Sequence, residues 1–176
     1  MRIKSYINQI LIRVTVDFNY ATASPDKIKA ALQKYNSYNN EWEKAYFDKF
    51  SGGYLVVAKQ RIEQGNVNKQ ETRKYEKEYN MCITLAKNGY EVEFLKMIDR
   101  SFDIYLDGVC ADLKKTASHN NILNYAVKAI NKQGAKIVVF EFEIMTGDIY
   151  EALNKLKILG IEVKYFTSIN KVVISP

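Results

Sequence analysis

The sequence predicts a mixed α/β (α+β) fold, a mixed central β-sheet flanked by helices with a mostly helical extension at the N-terminal end. Three observations carry this prediction. The chain has 176 residues, 47% hydrophobic and 26% charged, enough to bury a sizeable core and too apolar to be disordered. Asp107-Gly108 lies between alternating apolar residues, the strongest short-range signal for a β-hairpin. From residue 70 onward the hydrophobic period switches between helix-like and strand-like spacing: a helix, three strands, a helix, a strand, a helix and two strands. A sheet with helices on its faces accommodates that order. The division it suggests is an extension over residues 1–53 and an α/β core over 54–176.

Taken in order, Arg2 to Phe18 reads as a short helix running into a strand. Ser24-Pro25-Asp26 starts a helix, with Ser24 as N-cap and Pro25 in the first turn; Ile28, Ala31, Leu32 and Tyr35 follow at helical spacing. Glu41 to Phe50, holding Trp42, Ala45, Tyr46 and Phe50, predicts another helical turn or two. After Ser51-Gly52-Gly53, the run Tyr54 to Ala58 suits a buried strand, and a loop with Gly65-Asn66 follows. Asn68 is placed to cap a helix that Gly89 ends. Its inward stripe holds Glu71, Tyr75, Glu78, Cys82 and Leu85, whereas Glu76 points to water. An acid on a buried stripe requires a partner.

Tyr90 to Leu95 alternates as a strand. With Asp107-Gly108 at the hairpin tip, Leu106 faces Val109, Tyr105 faces Cys110, Ile104 faces Ala111 and Asp103 faces Asp112. One face then carries Phe102, Ile104, Leu106, Val109, Ala111 and Leu113, and the other Asp103, Tyr105, Asp112 and Lys114. Opposed side chains lie roughly 5 Å apart, so two carboxylates placed there repel each other and favour a cation between them. Hard divalent ions such as Mg²⁺ take such oxygen ligands, and Lys114 shares the face with Asp112. An ordinary hairpin with a solvated polar face is the plainer alternative. Asn120 or Asn121 then caps a helix with Ile122, Ala126 and Ile130 inward and Gln133 near its end. Lys136 to Phe140 reads as the central strand, Asp148 to Leu159 as a helix, and Ile161 to Phe166 and Lys171 to Ile174 as the last two strands.

Asp103, then Asp112-Leu113-Lys114 across a hairpin, resembles the PD-(D/E)xK nuclease motif, with Phe102 where proline is usual. The surrounding segments extend the likeness. Glu78, a helix running into Leu85-Ala86 and then Gly89-Tyr90-Glu91-Val92, the two aspartates and the lysine, and a helix ending in Gln133 together resemble the C-terminal nuclease domains of contact-dependent growth inhibition toxins and related polymorphic toxins. The likeness covers about residues 70 to 145. It implies a restriction-endonuclease-like core and a metal-dependent nuclease acting on DNA or RNA, tRNA among the candidates. Glu78, Asp103 and Asp112 would hold Mg²⁺ or Mn²⁺, Lys114 would stabilise developing charge, and Gln133 would reach toward the site. Glu71 is the alternative helix acid. The resemblance also implies an immunity protein as partner, and action in the cytoplasm after delivery as part of a secreted toxin. The rival is a non-catalytic interaction or nucleic-acid-binding protein that keeps the fold.

Composition bounds these readings. Twenty-six Lys and Arg against 20 Asp and Glu give a net charge of +6, which permits a polyanionic partner without requiring one. Cys82 and Cys110 have no CxxC spacing, so neither a zinc site nor a disulfide framework is indicated. The single His119 excludes a multi-histidine metal centre. No apolar run is long enough to span a membrane.

Overall fold

The computed structural model describes residues 22–176, so the reading of Arg2 to Phe18 lies outside the described residues. Among the described residues seven strands form one sheet in sequential order, β1 (Trp42–Phe47), β2 (Tyr54–Ala58), β3 (Glu91–Phe94), β4 (Ile104–Leu106), β5 (Val109–Lys115), β6 (Ile137–Phe142) and β7 (Glu162–Thr167). Neighbours β1/β2, β3/β4 and β4/β5 are antiparallel, whereas β2/β3, β5/β6 and β6/β7 are parallel. Each parallel pair is joined through helices, as a parallel connection requires. Helices α2 (Lys59–Gly65) and α3 (Lys69–Lys87) link β2 to β3, α4 (Ile122–Gln133) links β5 to β6, and α5 (Gly147–Ile158) links β6 to β7. Helix α1 (Pro25–Ser37) precedes the sheet.

Alternation along the strands divides the core in two. On one face Leu55, Val57, Val92, Phe94, Ile104, Leu106, Ala111, Leu113 and Val139 pack against Met81, Cys82, Leu85 and Ala86 of α3. On the other, Val138, Phe140, Phe142, Val163 and Tyr165 pack against Ile122, Ala126 and Ala129 of α4 and Ile149, Leu153 and Leu156 of α5. Tyr54 and Val56 turn to that second face at the far edge, where Ala31 of α1 covers them. Helix starts follow the sequence signals. Ser24 accepts from the Lys27 N–H, and Asn68 accepts from those of Gln70 and Glu71.

The approach of α3 to the sheet requires glycine at position 53. A Cβ there would lie 2.0 Å from the Ala86 carbonyl oxygen and 2.7 Å from the Gly89 Cα. Both are backbone atoms and neither can swing aside. Gly53→Ala is therefore expected to destabilise the fold by about 3 kcal/mol through overpacking, measured as a fall in the urea midpoint at unchanged m-value.

Three expectations are corrected. Glu41 to Phe50 is not helical: Trp42–Phe47 is edge strand β1, with a bulge between Lys44 and Tyr46. Its aromatic residues suit a half-buried pleated surface, and pairing with β2 overrides a weak helical period. The stretch after Ala58, read as a loop, begins with helix α2. Lys171 to Ile174 makes only an isolated antiparallel bridge, Tyr165 to Ile174, rather than a strand.

Candidate functional site

The hairpin carries the site, and its turn is built as the Asp-Gly pair demands. Asp107 has φ 49° and Gly108 φ 78°, both in the left-handed region, and the Asp107 carboxylate also accepts from the Glu91 N–H at 2.8 Å. The register is the expected one: Leu106 faces Val109, Tyr105 faces Cys110 and Ile104 faces Ala111. Beyond the last rung the Asp103 N–H donates to the Ala111 carbonyl, and its carboxylate reaches across to accept from the Leu113 N–H at 2.9 Å. Asp103 therefore braces β5 at the point where Asp112 sits. Phe102 departs from the expected face: it packs with the second core cluster, its ring edge-on to Tyr105 at 5.2 Å.

Asp112 is fully buried. Lys114 forms an ion pair with its Oδ2, and Oδ1 is buried without a hydrogen-bond partner. Burial first, and the negative charge of Asp103 second, push its pKa up to about 7 against the pull of Lys114. A buried carboxylate left short of donors beside a second carboxylate is a costly arrangement for an apo protein. A cation or a proton relieves it. This donor set fits a hard divalent ion, which is commonly held by one or two carboxylates together with waters and substrate phosphate.

Glu78 stands apart from this pair. It projects from α3, on the first face of the sheet, whereas Asp112 and Lys114 share the second face with their neighbours Val138 and Phe140. Among the described residues no three His, Cys, Asp or Glu side chains are gathered to hold a metal. The Glu78 carboxylate instead takes a hydrogen bond from the Arg61 guanidinium at 2.7 Å, with Lys74 at 3.9 Å. Burial and the field of Asp103 nevertheless push its pKa up. Asp103, just off the end of β4, is thus the member that acts on both other acids, and it lines a small cavity together with Glu78 and Arg61.

Arg61 was not anticipated. It is 1% exposed, lies over the rings of Phe94 and Tyr75 at 5.0 and 5.4 Å, and leaves Nη1 buried without a partner. The sequence signal is indirect: a buried acid at Glu78 demands a cation, and Arg61 lies in helix α2, where the sequence alone suggests a loop. Gln133 comes near the hairpin as expected. Its Nε2 donates to the Ser101 carbonyl at 3.3 Å, while Oε1 is buried and unpartnered. Glu71, the alternative helix acid, also has a buried oxygen without a hydrogen-bond partner. On the first face, Lys115 rather than Lys114 points toward α3. It pairs with buried Glu141 at 2.7 Å and joins Lys74, Lys77 and Glu78 around a groove of about 370 Å³.

No protein-family model matches the chain, and no curated protein matches it. Among solved structures, it is similar to a CdiA-CT/CdiI toxin and immunity complex from Burkholderia pseudomallei, at 19% identity over 63% of this chain and 91% of the other, with a TM-score of 0.49. Neither figure fixes an activity, so the chemistry rests on the side chains. No described helix is long and apolar enough to cross a membrane.

Proposed function

We propose that the chain is a metal-dependent nuclease of the PD-(D/E)xK type, acting on DNA or RNA in the manner of a toxin domain. The observation that carries the reading is Asp112, a fully buried carboxylate ion-paired with Lys114 and set beside a second carboxylate, Asp103. Metal-assisted phosphodiester hydrolysis uses such an anionic cradle next to a cation. Asp103 and Asp112 are the residues that would hold Mg²⁺ or Mn²⁺, while Glu78, paired with Arg61 on the α3 side, would act through its charge on Asp103. When bound, the ion would supply Lewis-acid stabilisation of the phosphate and a more acidic water.

The protein's own groups do the rest. Asp103 is fixed by the Leu113 N–H, so the carboxylate pair is preorganised without the ion. Lys114 places a positive charge beside Asp112, where charge on a scissile phosphate would grow. Gln133, through Ser101, holds the chain that leads into Asp103. An immunity protein that blocks the site and a cytoplasmic target remain part of the toxin reading, supported by the motif likeness in the sequence.

Incubation with plasmid DNA and with total RNA, with Mg²⁺ or Mn²⁺ and with EDTA, tests the proposal. Cleavage is expected only with the metal. One observation favours a second reading, a nucleic-acid-binding module without activity: the Glu78 carboxylate is already neutralised by Arg61. That reading predicts binding indifferent to EDTA and to Asp112→Ala, and no cleavage of any nucleic acid.

A further inference from the structure

We infer that the exposed stripe of α3 carrying Lys69, Arg73 and Lys77 is a docking surface for a nucleic-acid backbone, leading a strand into the groove beside Glu78. The three cations recur every fourth residue, so they stack along one side of the helix at about 6 Å intervals. Like charges at this spacing repel and weaken a helix. None of the three is in an ion pair among the described residues. Glu76 borders the stripe but pairs with none of them.

Together with Gln70 and Lys74 they line an open hollow of about 570 Å³ that has no acidic residue in its wall. Lys74 and Lys77 also line the adjoining groove, which continues past Lys115 to Glu78. The hollow and the groove are thus one track, its cations spaced along the approach to an acid that shares a cavity with Asp103. The chemistry favours phosphate over a protein surface. Lysine is depleted at protein–protein interfaces, whose cores are apolar and aromatic. The wall of the hollow is formed by Lys, Arg and Gln alone, the residue types that contact phosphate oxygens. The inference rests on the nuclease reading only for where the strand leads.

The test uses the full chain carrying Asp112→Asn, in EDTA, so that binding is measured without cleavage. Fluorescence anisotropy with single-stranded and duplex oligonucleotides is followed from 50 to about 200 mM salt. Adding Lys69→Gln, Arg73→Gln and Lys77→Gln together is expected to weaken binding at least tenfold and lower the slope of log K against log salt by about 2 to 3. Lys157→Gln, on α5 across the sheet, is expected to change neither. Thermal melting of the triple variant is expected to match or exceed its parent, since glutamine favours helix and the repulsion is relieved. Parent-like binding by the folded triple variant overturns the docking surface and leaves the nuclease reading standing. Failure of the parent to bind any oligonucleotide overturns both. Equal binding of polyglutamate, lost in the same variant, overturns the nucleic-acid assignment in favour of an acidic protein partner.

Discussion

Asp112→Asn is expected to abolish cleavage, lowering turnover by about 10³-fold or more, because it removes a charge that stabilises several kcal/mol of transition-state build-up. The same substitution is expected to strengthen the metal-free fold, and the pH dependence gives the reason. Burial and the Asp103 charge raise the Asp112 pKa from its ordinary value of 3.8 to about 7. Below pH 4 it is protonated in both folded and unfolded chains and contributes nothing to their difference. Between about 4 and 7 the folded chain holds a proton that the unfolded chain has lost, so stability falls as pH rises. Above 7 the full cost of a buried, repelled carboxylate is present. In EDTA, Asp112→Asn is therefore expected to be more stable than wild type by up to about 4 kcal/mol at pH 8, the linkage value of a pKa raised from 3.8 to about 7 by burial first and the Asp103 charge second. Near pH 4 it is expected to be indistinguishable. Urea denaturation at the two pH values reads this directly. Wild-type cleavage by the variant would remove Asp112 from the site; equal stabilities at both pH values would remove the buried repulsion.

Much of this site was legible because it is local. An Asp-Gly turn permits few hairpin geometries, and once it is fixed every rung follows, so Ile104 opposite Ala111 needed no tertiary information. The α3 stripe was equally readable: a 3.6-residue period, an Asn68 cap and Gly89 with φ 87° at its end. What was not legible is what distant segments decide. Trp42–Phe47 becomes a strand because β2 lies beside it. Phe102 leaves its expected face because the ladder stops at Ile104, and alternation has no hold on residues outside it. The convergence of Glu78 with the aspartates is implied by the family resemblance, whereas helical and strand alternation assign each acid only to a face of its own element. A sheet has two inward faces, however, and only the packing shows that α3 covers the one opposite Asp112. Arg61 was missed for a related reason: burial of a guanidinium depends on the two rings and the carboxylate that surround it.

Glu78→Ala is expected both to eliminate activity and to cost about 3 to 5 kcal/mol of stability, because it strands the Arg61 charge in the core. Loss of activity alone then proves little, and the discriminating variants keep Arg61 satisfied. Glu78→Gln retains an acceptor for the guanidinium and is expected to fold but not to cleave. The pair Arg61→Met with Glu78→Leu replaces the buried ion pair by apolar groups of similar size, a change often neutral for stability, and is also expected to be inactive. Glu71 and Glu78 are seven residues apart, about 10 Å along the axis, so the two cannot serve one ion directly. Glu71→Ala is accordingly expected to keep substantial activity, and exposed Glu76→Ala to be nearly silent. Metal-dependent cleavage of plasmid DNA and total RNA, with melting temperature recorded for each variant, separates the roles. A folded Glu78→Gln that cleaves like wild type would reduce Glu78 to the structural partner of Arg61 and leave Asp103 and Asp112 as the whole acidic site. An inactive Glu71→Ala that melts like wild type would move the helix acid two turns toward the N-terminus, into the part of α3 that carries the cationic stripe.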